Sequence, residues 1–115
     1  MAKPVVHFEI MGGEGDILQR FYADAFGWEI DADNPMQYGM VKAAEGGIGG
    51  GVGPAMEGGP SVTVYVQVDD LEAALRTIEA SGGKTLLAPT DVPGGPRLAL
   101  FADPAGNRVG LVKGM

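Results

Sequence analysis

The sequence predicts an α+β protein made of two tandem βαβββ modules, which form a curved mixed sheet with a cleft and carry their helices on its outer face. Period-two alternation over residues 62–68 changes to helical spacing at a pair of aspartates, which indicates a strand followed by a helix. The same order occurs about 55 residues earlier, around His7, and three short strand patterns follow in each half. Because one module alone leaves a sheet face open, two modules side by side can enclose a small molecule.

The first half begins with a strand and continues with an amphipathic helix. Residues 5–10 alternate as a strand, and six apolar residues then form one broad stripe of a helix. Asp16 begins a pattern that resembles a capping box, with Glu14 as the alternative cap, and Gly27 is placed to end the helix in the left-handed conformation. Strands are predicted at residues 28–32, 36–43 and 47–52. The last of these is rich in glycine, and its missing side chains are interpreted as room for a ligand or for a neighbouring backbone.

The second half follows the same plan. Its helix is predicted to begin at Asp69, with Glu72 at the capping-box position, and to end at Gly82 or Gly83. Strands are predicted at residues 84–88, 97–102 and 108–113, with a loop at 89–96. The chain is therefore read as one domain with module one at about residues 4–53, a connector at 53–60 and module two at about 61–114.

Composition narrows the classes of function. A length of 115 residues suits about one domain, and a net charge of −7 argues against nucleic acid as a partner. The absence of cysteine excludes disulfides, a thiolate nucleophile and cysteine-ligated metal sites. No apolar run approaches the roughly 18 residues of a membrane span. We therefore expect a cytoplasmic protein with neither nucleic-acid nor membrane partners.

The candidate functional residues lie on the polar faces of the two first strands. His7 and Glu9 share one face, so His7 is a candidate general base oriented by a carboxylate. The alternative is a histidine that is only hydrogen-bonded in a polar cleft wall. Thr63, Tyr65 and Gln67 form the matching face of module two, opposite four valines that are expected to pack. They are candidates to bind a ligand, or else a polar sheet face satisfied within the protein.

Several stretches together resemble the vicinal oxygen chelate superfamily, which includes glyoxalase, the bleomycin-resistance proteins and the extradiol dioxygenases. They are HFEI at residues 7–10, RFYADAFGWEI at 20–30, GGIGGGV at 46–52, VTVYVQVDDLEAAL at 62–75 and FADPAGNRVGLV at 101–112. The resemblance implies paired βαβββ modules, usually in a homodimer, with pockets formed by the sheets. Enzymes of this superfamily hold a divalent metal through inward side chains, commonly His, Glu, His and Glu.

Carried over by position, the resemblance supports the fold more than the metal chemistry. His7 stands where the first metal ligand would be, Thr63 where the second histidine would be, and Gly110 where the closing glutamate would be. One imidazole cannot hold a labile divalent ion against water. We therefore predict neither a metal site of this type nor any other cofactor.

The function predicted from the sequence is small-molecule binding of the glyoxalase and bleomycin-resistance type, independent of metal, in a homodimer. The alternative is a lyase, isomerase or dioxygenase that uses His7 and Glu9 or an unrecognised metal site. A third reading is a subunit with a collapsed cleft and a role in association. Tyr38 and Phe101 are expected to give the ligand site apolar and stacking surface. The predicted ligand-binding residues are His7, Tyr38, Thr63, Tyr65, Gln67, Phe101 and Gly110.

Overall fold

The computed structural model describes residues 2–55 and 59–114, which fall into two compact units. The N-terminal unit is His7–Thr63, and the C-terminal unit comprises the described residues of Met1–Val6 and Val64–Met115. The order β-α-β-β-β occurs twice, which confirms the predicted α+β class and its two βαβββ modules. The elements of module one are β1 (Val5–Met11), α1 (Gly15–Phe26), β2 (Ile30–Asp31), β3 (Gly39–Val41) and β4 (Gly49–Gly53). Those of module two are β5 (Ser61–Val68), α2 (Leu71–Ala80), β6 (Lys84–Asp91), β7 (Arg97–Ala102) and β8 (Arg108–Lys113).

In the N-terminal unit the first and last strands of the module are neighbours. β1 pairs in parallel with β4, β4 pairs antiparallel with β3, and β3 pairs antiparallel with β2. This register places Glu9 beside Gly51, and Met40 on the other side of Gly51. The strands β2 and β3 are both shorter than predicted. β3 begins only at Gly39 because the Asn34 side chain accepts from the Tyr38 N–H at 2.9 Å and donates to the Tyr38 C=O at 2.7 Å. Those bonds hold the chain in a turn where the sequence pattern suggested strand.

The helix α1 begins at Gly15, with Glu14 as the N-cap. The capping box predicted at Asp16 is wrong, and the Glu14 side chain makes no capping hydrogen bond within the described part of the chain. The predicted end is confirmed, because Gly27 adopts φ 70° and its N–H donates to the Ala23 carbonyl at 2.9 Å. The apolar stripe of α1 is broader than the surface that covers it, so Ile17 and Phe21 stay more than half exposed.

The C-terminal unit repeats the arrangement of strands. β5 pairs in parallel with β8, and β8, β7 and β6 follow as antiparallel neighbours. The helix α2 is capped by Asp70, which accepts a hydrogen bond from the Ala73 N–H at 2.9 Å, so the predicted start at Asp69 is wrong by one residue. The core of this unit consists of Val68, Leu71, Leu75, Ala99 and Leu111.

The strand β6 continues to Asp91, into the stretch predicted as a loop. Among the described strands it pairs only with β7, and its register shifts between Thr85 and Leu87 and again between Leu87 and Thr90. Pro89 has no backbone N–H and cannot donate a hydrogen bond to a neighbouring strand. It lies within the second register shift, where an edge strand can accommodate a proline. The loop predicted at residues 89–96 is therefore wrong for residues 89–91.

The two faces of β5 are buried differently from the prediction. The alternation is present, but Thr63 and Tyr65 are the buried residues, while Val62 and Val64 are 71% and 40% exposed. Of the four valines, only Val68 belongs to the core, and Val66 packs against it. The expectation that all four valines pack is therefore wrong.

Candidate functional site

A hydrogen-bonded group of three side chains forms the candidate site of the N-terminal unit. The Tyr38 hydroxyl lies 2.9 Å from His7 Nε2 and donates a hydrogen bond to Glu9 Oε2 at 3.0 Å. His7 is buried, with 9% of its surface exposed, and Tyr38 is half-buried. The two residues predicted as an acid–base pair are thus joined through a tyrosine hydroxyl, and we call these three residues the His7–Tyr38–Glu9 group.

The backbone on either side of Tyr38 is fixed by side chains from elsewhere in the unit. Asn34 binds both polar groups of the Tyr38 backbone, as described above. Gln37, the preceding residue, adopts φ 53°, a left-handed conformation that a non-glycine residue takes at an energetic cost. Gln19 on α1 donates to the carbonyls of Gln37 and Val52 at 3.0 and 2.7 Å. The turn is therefore tied both to the helix and to β4.

Glycine in β4 makes room for the ring of Tyr38. A Cβ atom at Gly51 would overlap the hydroxyl and the outer ring carbons of Tyr38, and one at Gly50 would overlap the Phe8 ring. The space predicted at this glycine run is therefore occupied by aromatic side chains of the same unit.

The C-terminal unit contains a similar pairing of tyrosine and glycine. Gly110 on β8 lies beside Tyr65 on β5, and a Cβ atom at Gly110 would overlap the Tyr65 ring. Tyr65 is 6% exposed. Gly51 and Gly110 both lie on the last strand of a module, and each holds a tyrosine ring in the space that a side chain would take.

The remaining predicted residues have the following positions. Thr63 belongs to the N-terminal unit and is 3% exposed. Gln67 in the C-terminal unit is half-buried, and Phe101 packs against that unit's core. Their contact with a ligand stays a prediction.

The residues present do not fit a divalent metal of the kind that the resemblance implied. Within residues 2–55 and 59–114, no three side chains of His, Cys, Asp or Glu come together as potential metal ligands. At Gly110, where the closing glutamate would stand, the buried Tyr65 ring takes the space that such a side chain needs. His7 remains the one imidazole, so we derive no chemical step through a metal.

Electrostatics favour a neutral His7. Burial lowers the pKa of His7 below its ordinary value, and the negative charge of Glu9 opposes this in part by favouring the imidazolium. The ring is therefore suited to accept a proton or a hydrogen bond near neutral pH.

This lowered pKa predicts that His7 makes folding stability depend on pH. The unfolded chain binds a proton at His7 below a pH of about 6.5, whereas the folded chain binds it only at a lower pH. The contribution of His7 to the free energy of unfolding is therefore complete above about pH 6.5 and is lost as the pH falls through the folded pKa. Urea unfolding at about pH 7.5 and about pH 5.5 should show a larger loss of stability for the wild type than for His7→Gln. An equal or larger loss of unfolding free energy in His7→Gln would contradict this role of His7.

The sequence did not reveal the role of Tyr38 as the link between His7 and Glu9, and it gave no part in the site to Asn34, Gln37 or Gln19. Two signals were available. An asparagine four residues before a tyrosine is suited to close a turn on it. Glycines at alternate positions of one strand also leave a strip without side chains on one face, which a ring from a neighbouring strand can cover.

Comparison with known proteins identifies the family of this domain. The family model described as a glyoxalase-like domain matches residues 14–112. The protein CFP32 of Mycobacterium bovis, whose name assigns it provisionally to the glyoxylases, is 32% identical over an alignment of 111 residues. The match covers 91% of this chain and 42% of CFP32. The chain thus spans less than half the length of this curated relative.

Solved structures of other proteins have the same fold as this chain. A methylmalonyl-CoA epimerase of Mycobacterium tuberculosis has a TM-score of 0.69 at 18% identity, covering 96% of this chain and 87% of the epimerase. A glyoxalase/bleomycin resistance protein/dioxygenase superfamily member from Vibrio splendidus has a TM-score of 0.65 at 16% identity, covering 98% of this chain and all of the other. Fold and sequence together place the protein in the vicinal oxygen chelate superfamily, as its motifs predicted. Within it, the chain belongs to the glyoxalase-like domain family.

Neither helix of the described residues is long and apolar enough to cross a membrane. The cytoplasmic location expected from the sequence stays a prediction.

Proposed function

We propose that this glyoxalase-like domain binds a small molecule without a metal, and that the His7–Tyr38–Glu9 group is the polar part of its ligand site. The observation that carries the proposal is the position of the two tyrosine rings. They fill the side-chain space at Gly51 and Gly110, on the last strand of each module, while an imidazole, a hydroxyl and a carboxylate stand together on the N-terminal unit. Such a group can orient a ligand by hydrogen bonds that need no metal.

Proton transfer is the second candidate function, and the hydrogen bonds within the group favour it. A buried imidazole with a lowered pKa, joined through a hydroxyl to a carboxylate, has the composition of a general base with its supporting acceptor. A lyase or isomerase would use this arrangement to remove a proton from a carbon next to a carbonyl. A dioxygenase has less support, since its chemistry would need the metal that these residues do not fit.

The replacement His7→Ala separates the two candidates. Two probes follow from the relatives: bleomycin, for sequestration, and methylmalonyl-CoA, for proton transfer. If the domain only binds, bleomycin binding in the presence of EDTA should persist in His7→Ala, weakened by about tenfold or less, the effect of one hydrogen bond. If it transfers protons, deuterium from D₂O should enter methylmalonyl-CoA, and His7→Ala should slow this by about 10²-fold or more. Calorimetry and NMR measure the two quantities.

A matched control and a metal series complete the experiment. Thr90→Ala removes a hydroxyl whose hydrogen bond is to the carbonyl of Ala88, on the C-terminal unit, and it should change neither quantity. Zinc, nickel, manganese and iron(II) should not raise the melting temperature. Binding or proton exchange that occurs only after one of these metals is added would overturn the metal-independent proposal.

We also propose that the domain forms a homodimer, and an apolar groove supports this. The groove has a volume of about 660 Å³ and lies on the N-terminal unit, where Ile17, Phe21 and Val62 are each more than half exposed. Among the described residues that line it, Glu14 alone is charged, so a second copy could cover the groove with little charge repulsion from them. The relative CFP32 is more than twice as long as the part that matches, which leaves room for a second domain of this size. Light scattering should give a mass of two 11.8 kDa chains, and a monomer would refute the homodimer.

A further inference from the structure

The peptide group between Gln37 and Tyr38 is held at both of its polar ends. Its carbonyl oxygen accepts a hydrogen bond from Gln19 Nε2 at 3.0 Å. Its N–H donates to Asn34 Oδ1 at 2.9 Å. A peptide group is planar and rigid, so contacts at its C=O and its N–H fix the orientation of the whole group. That orientation determines, through the φ angle of Tyr38, the direction in which the tyrosine ring leaves the backbone.

The backbone at this point adopts a conformation that needs enforcement. Gln37 has φ 53°, in the left-handed region, and its side chain is exposed, so burial of that side chain does not explain the conformation. A backbone conformation that costs energy persists where the surrounding contacts enforce it. Asn34 belongs to the same turn, since its carbonyl accepts from the Gln37 N–H at 3.0 Å. Gln19 comes from helix α1, 18 residues before Gln37, and ties the turn to another element.

The amide of Gln19 is fitted to this position. Its Nε2 also donates to the carbonyl of Val52, a fully buried residue, at 2.7 Å. Both acceptors are carbonyl oxygens, so the position requires a group with two N–H donors, which an amide has and a carboxylate lacks. A Cβ atom at Gly39 would lie 2.8 Å from Nε2. Glycine at residue 39 therefore makes room for this amide, as Gly51 does for the ring of Tyr38.

We infer that Gln19 is a positioning residue of the His7–Tyr38–Glu9 group, because its amide fixes the peptide group that directs the Tyr38 hydroxyl. That hydroxyl lies 2.9 Å from His7 Nε2 and 3.0 Å from Glu9 Oε2. Its position between the two then depends on helix α1. The consequence for ligands rests on the proposed function: loss of the Gln19 amide should weaken the binding of bleomycin by up to about tenfold, the effect of one hydrogen bond.

Proton NMR of the ligand-free protein tests this role. The chain has one histidine and three tyrosines, so few ring signals have to be assigned. In the wild type we expect nuclear Overhauser effects between the ring protons of His7 and the Tyr38 ring protons that flank the hydroxyl. Gln19→Met keeps an unbranched side chain that favours a helix but removes both N–H donors. In this variant the Overhauser effects should disappear, because the ring is no longer directed towards His7.

Three further variants separate positioning from a general loss of stability. Arg20→Met makes the same kind of replacement at the next residue of α1, which is exposed, and should keep the Overhauser effects. Tyr22→Ala removes a ring of α1 that stacks on Trp28, so it should lower the melting temperature and yet keep them. Gln19→Glu keeps the shape of the amide but directs carboxylate oxygens at two carbonyls, and it should lose the effects at least as completely as Gln19→Met.

Overhauser effects that persist in folded Gln19→Met, or that are lost equally in Tyr22→Ala, would overturn the inference. Should Gln19→Met fail to fold, as judged by circular dichroism, the wild type carries the test. Its Gln19 side-chain N–H protons should exchange with water more slowly than those of the exposed Gln37, and equal rates would overturn the inference too.

Because no ligand is present in these measurements, their outcome is independent of the proposed function. Calorimetry with bleomycin tests the consequence for ligands. If the Overhauser effects are lost in Gln19→Met while bleomycin binding is unchanged, or absent already in the wild type, the proposed ligand site would be refuted and the role of Gln19 would stand.

Discussion

The replacement Gly110→Ala is expected to lower the free energy of unfolding by about 3 kcal/mol, the upper part of the range for added volume in a packed core. The new Cβ atom would overlap the Tyr65 ring at both its base and its side. Tyr65 is 6% exposed, so the ring has little space into which it can move. Gly110 is also paired with Tyr65 across β5 and β8, which prevents the backbone from relaxing without loss of ladder hydrogen bonds.

Chemical unfolding of a matched set would test this explanation. Arg108→Ala places an alanine at an exposed position of the same strand and should change stability by less than about 0.5 kcal/mol. In a Tyr65→Ala background, Gly110→Ala should cost far less than it does in the wild type, because the ring that it meets is gone. Equal costs in the two backgrounds would show that the overlap with Tyr65 is not the cause.

The fold could be predicted from the sequence because its strongest signals are local. The bounds predicted for β7 and β8 are those observed, and the turn that joins them has the conformation expected from its sequence. Asp103 accepts hydrogen bonds from the Ala105 and Asn107 N–H groups, and Gly106 takes φ 93°. Proline, glycine and aspartate act there within five residues, so no distant contact is needed. The predicted start of β3 was wrong because the Asn34 side chain binds the Tyr38 backbone in a turn.

The candidate site was predictable only in part because its geometry depends on contacts distant in sequence. His7 and Glu9 were identified from alternation on one strand, and the structure joins them. The joining group is 31 residues from His7 and 29 from Glu9, and no periodicity relates those positions. The prediction of which β5 side chains are buried was wrong for a similar reason. A period of two separates the faces of a strand but does not say which face is covered, and the ring of Tyr65 is buried where Gly110 offers space.

The replacement Gly51→Ala is expected to displace Tyr38 from between His7 and Glu9, with a loss of about 2 kcal/mol in the free energy of unfolding. The new Cβ atom would overlap the hydroxyl end of the ring, and a half-buried ring can swing away from it. The cost then comes mainly from two hydrogen bonds, one of them to a carboxylate. Any ligand binding or proton exchange that depends on the group should fall with it. The imidazole NMR signals of His7 should change as well, because the Tyr38 hydroxyl would leave its position beside Nε2.

Gly47→Ala is the matched control, because a Cβ atom at Gly47 would meet the Ala44 carbonyl only at an ordinary contact distance of 3.5 Å. It should leave both stability and the His7 spectrum close to those of the wild type. In a Tyr38→Ala background, Gly51→Ala should be almost without effect, since the space it fills is then vacant. If Gly51→Ala retained the wild-type imidazole spectrum, glycine would not be what admits Tyr38, and the strip of glycines in β4 would need another explanation. If the spectrum and the stability change together, one missing side chain in β4 is what allows the distant Tyr38 to join His7 and Glu9 in one group.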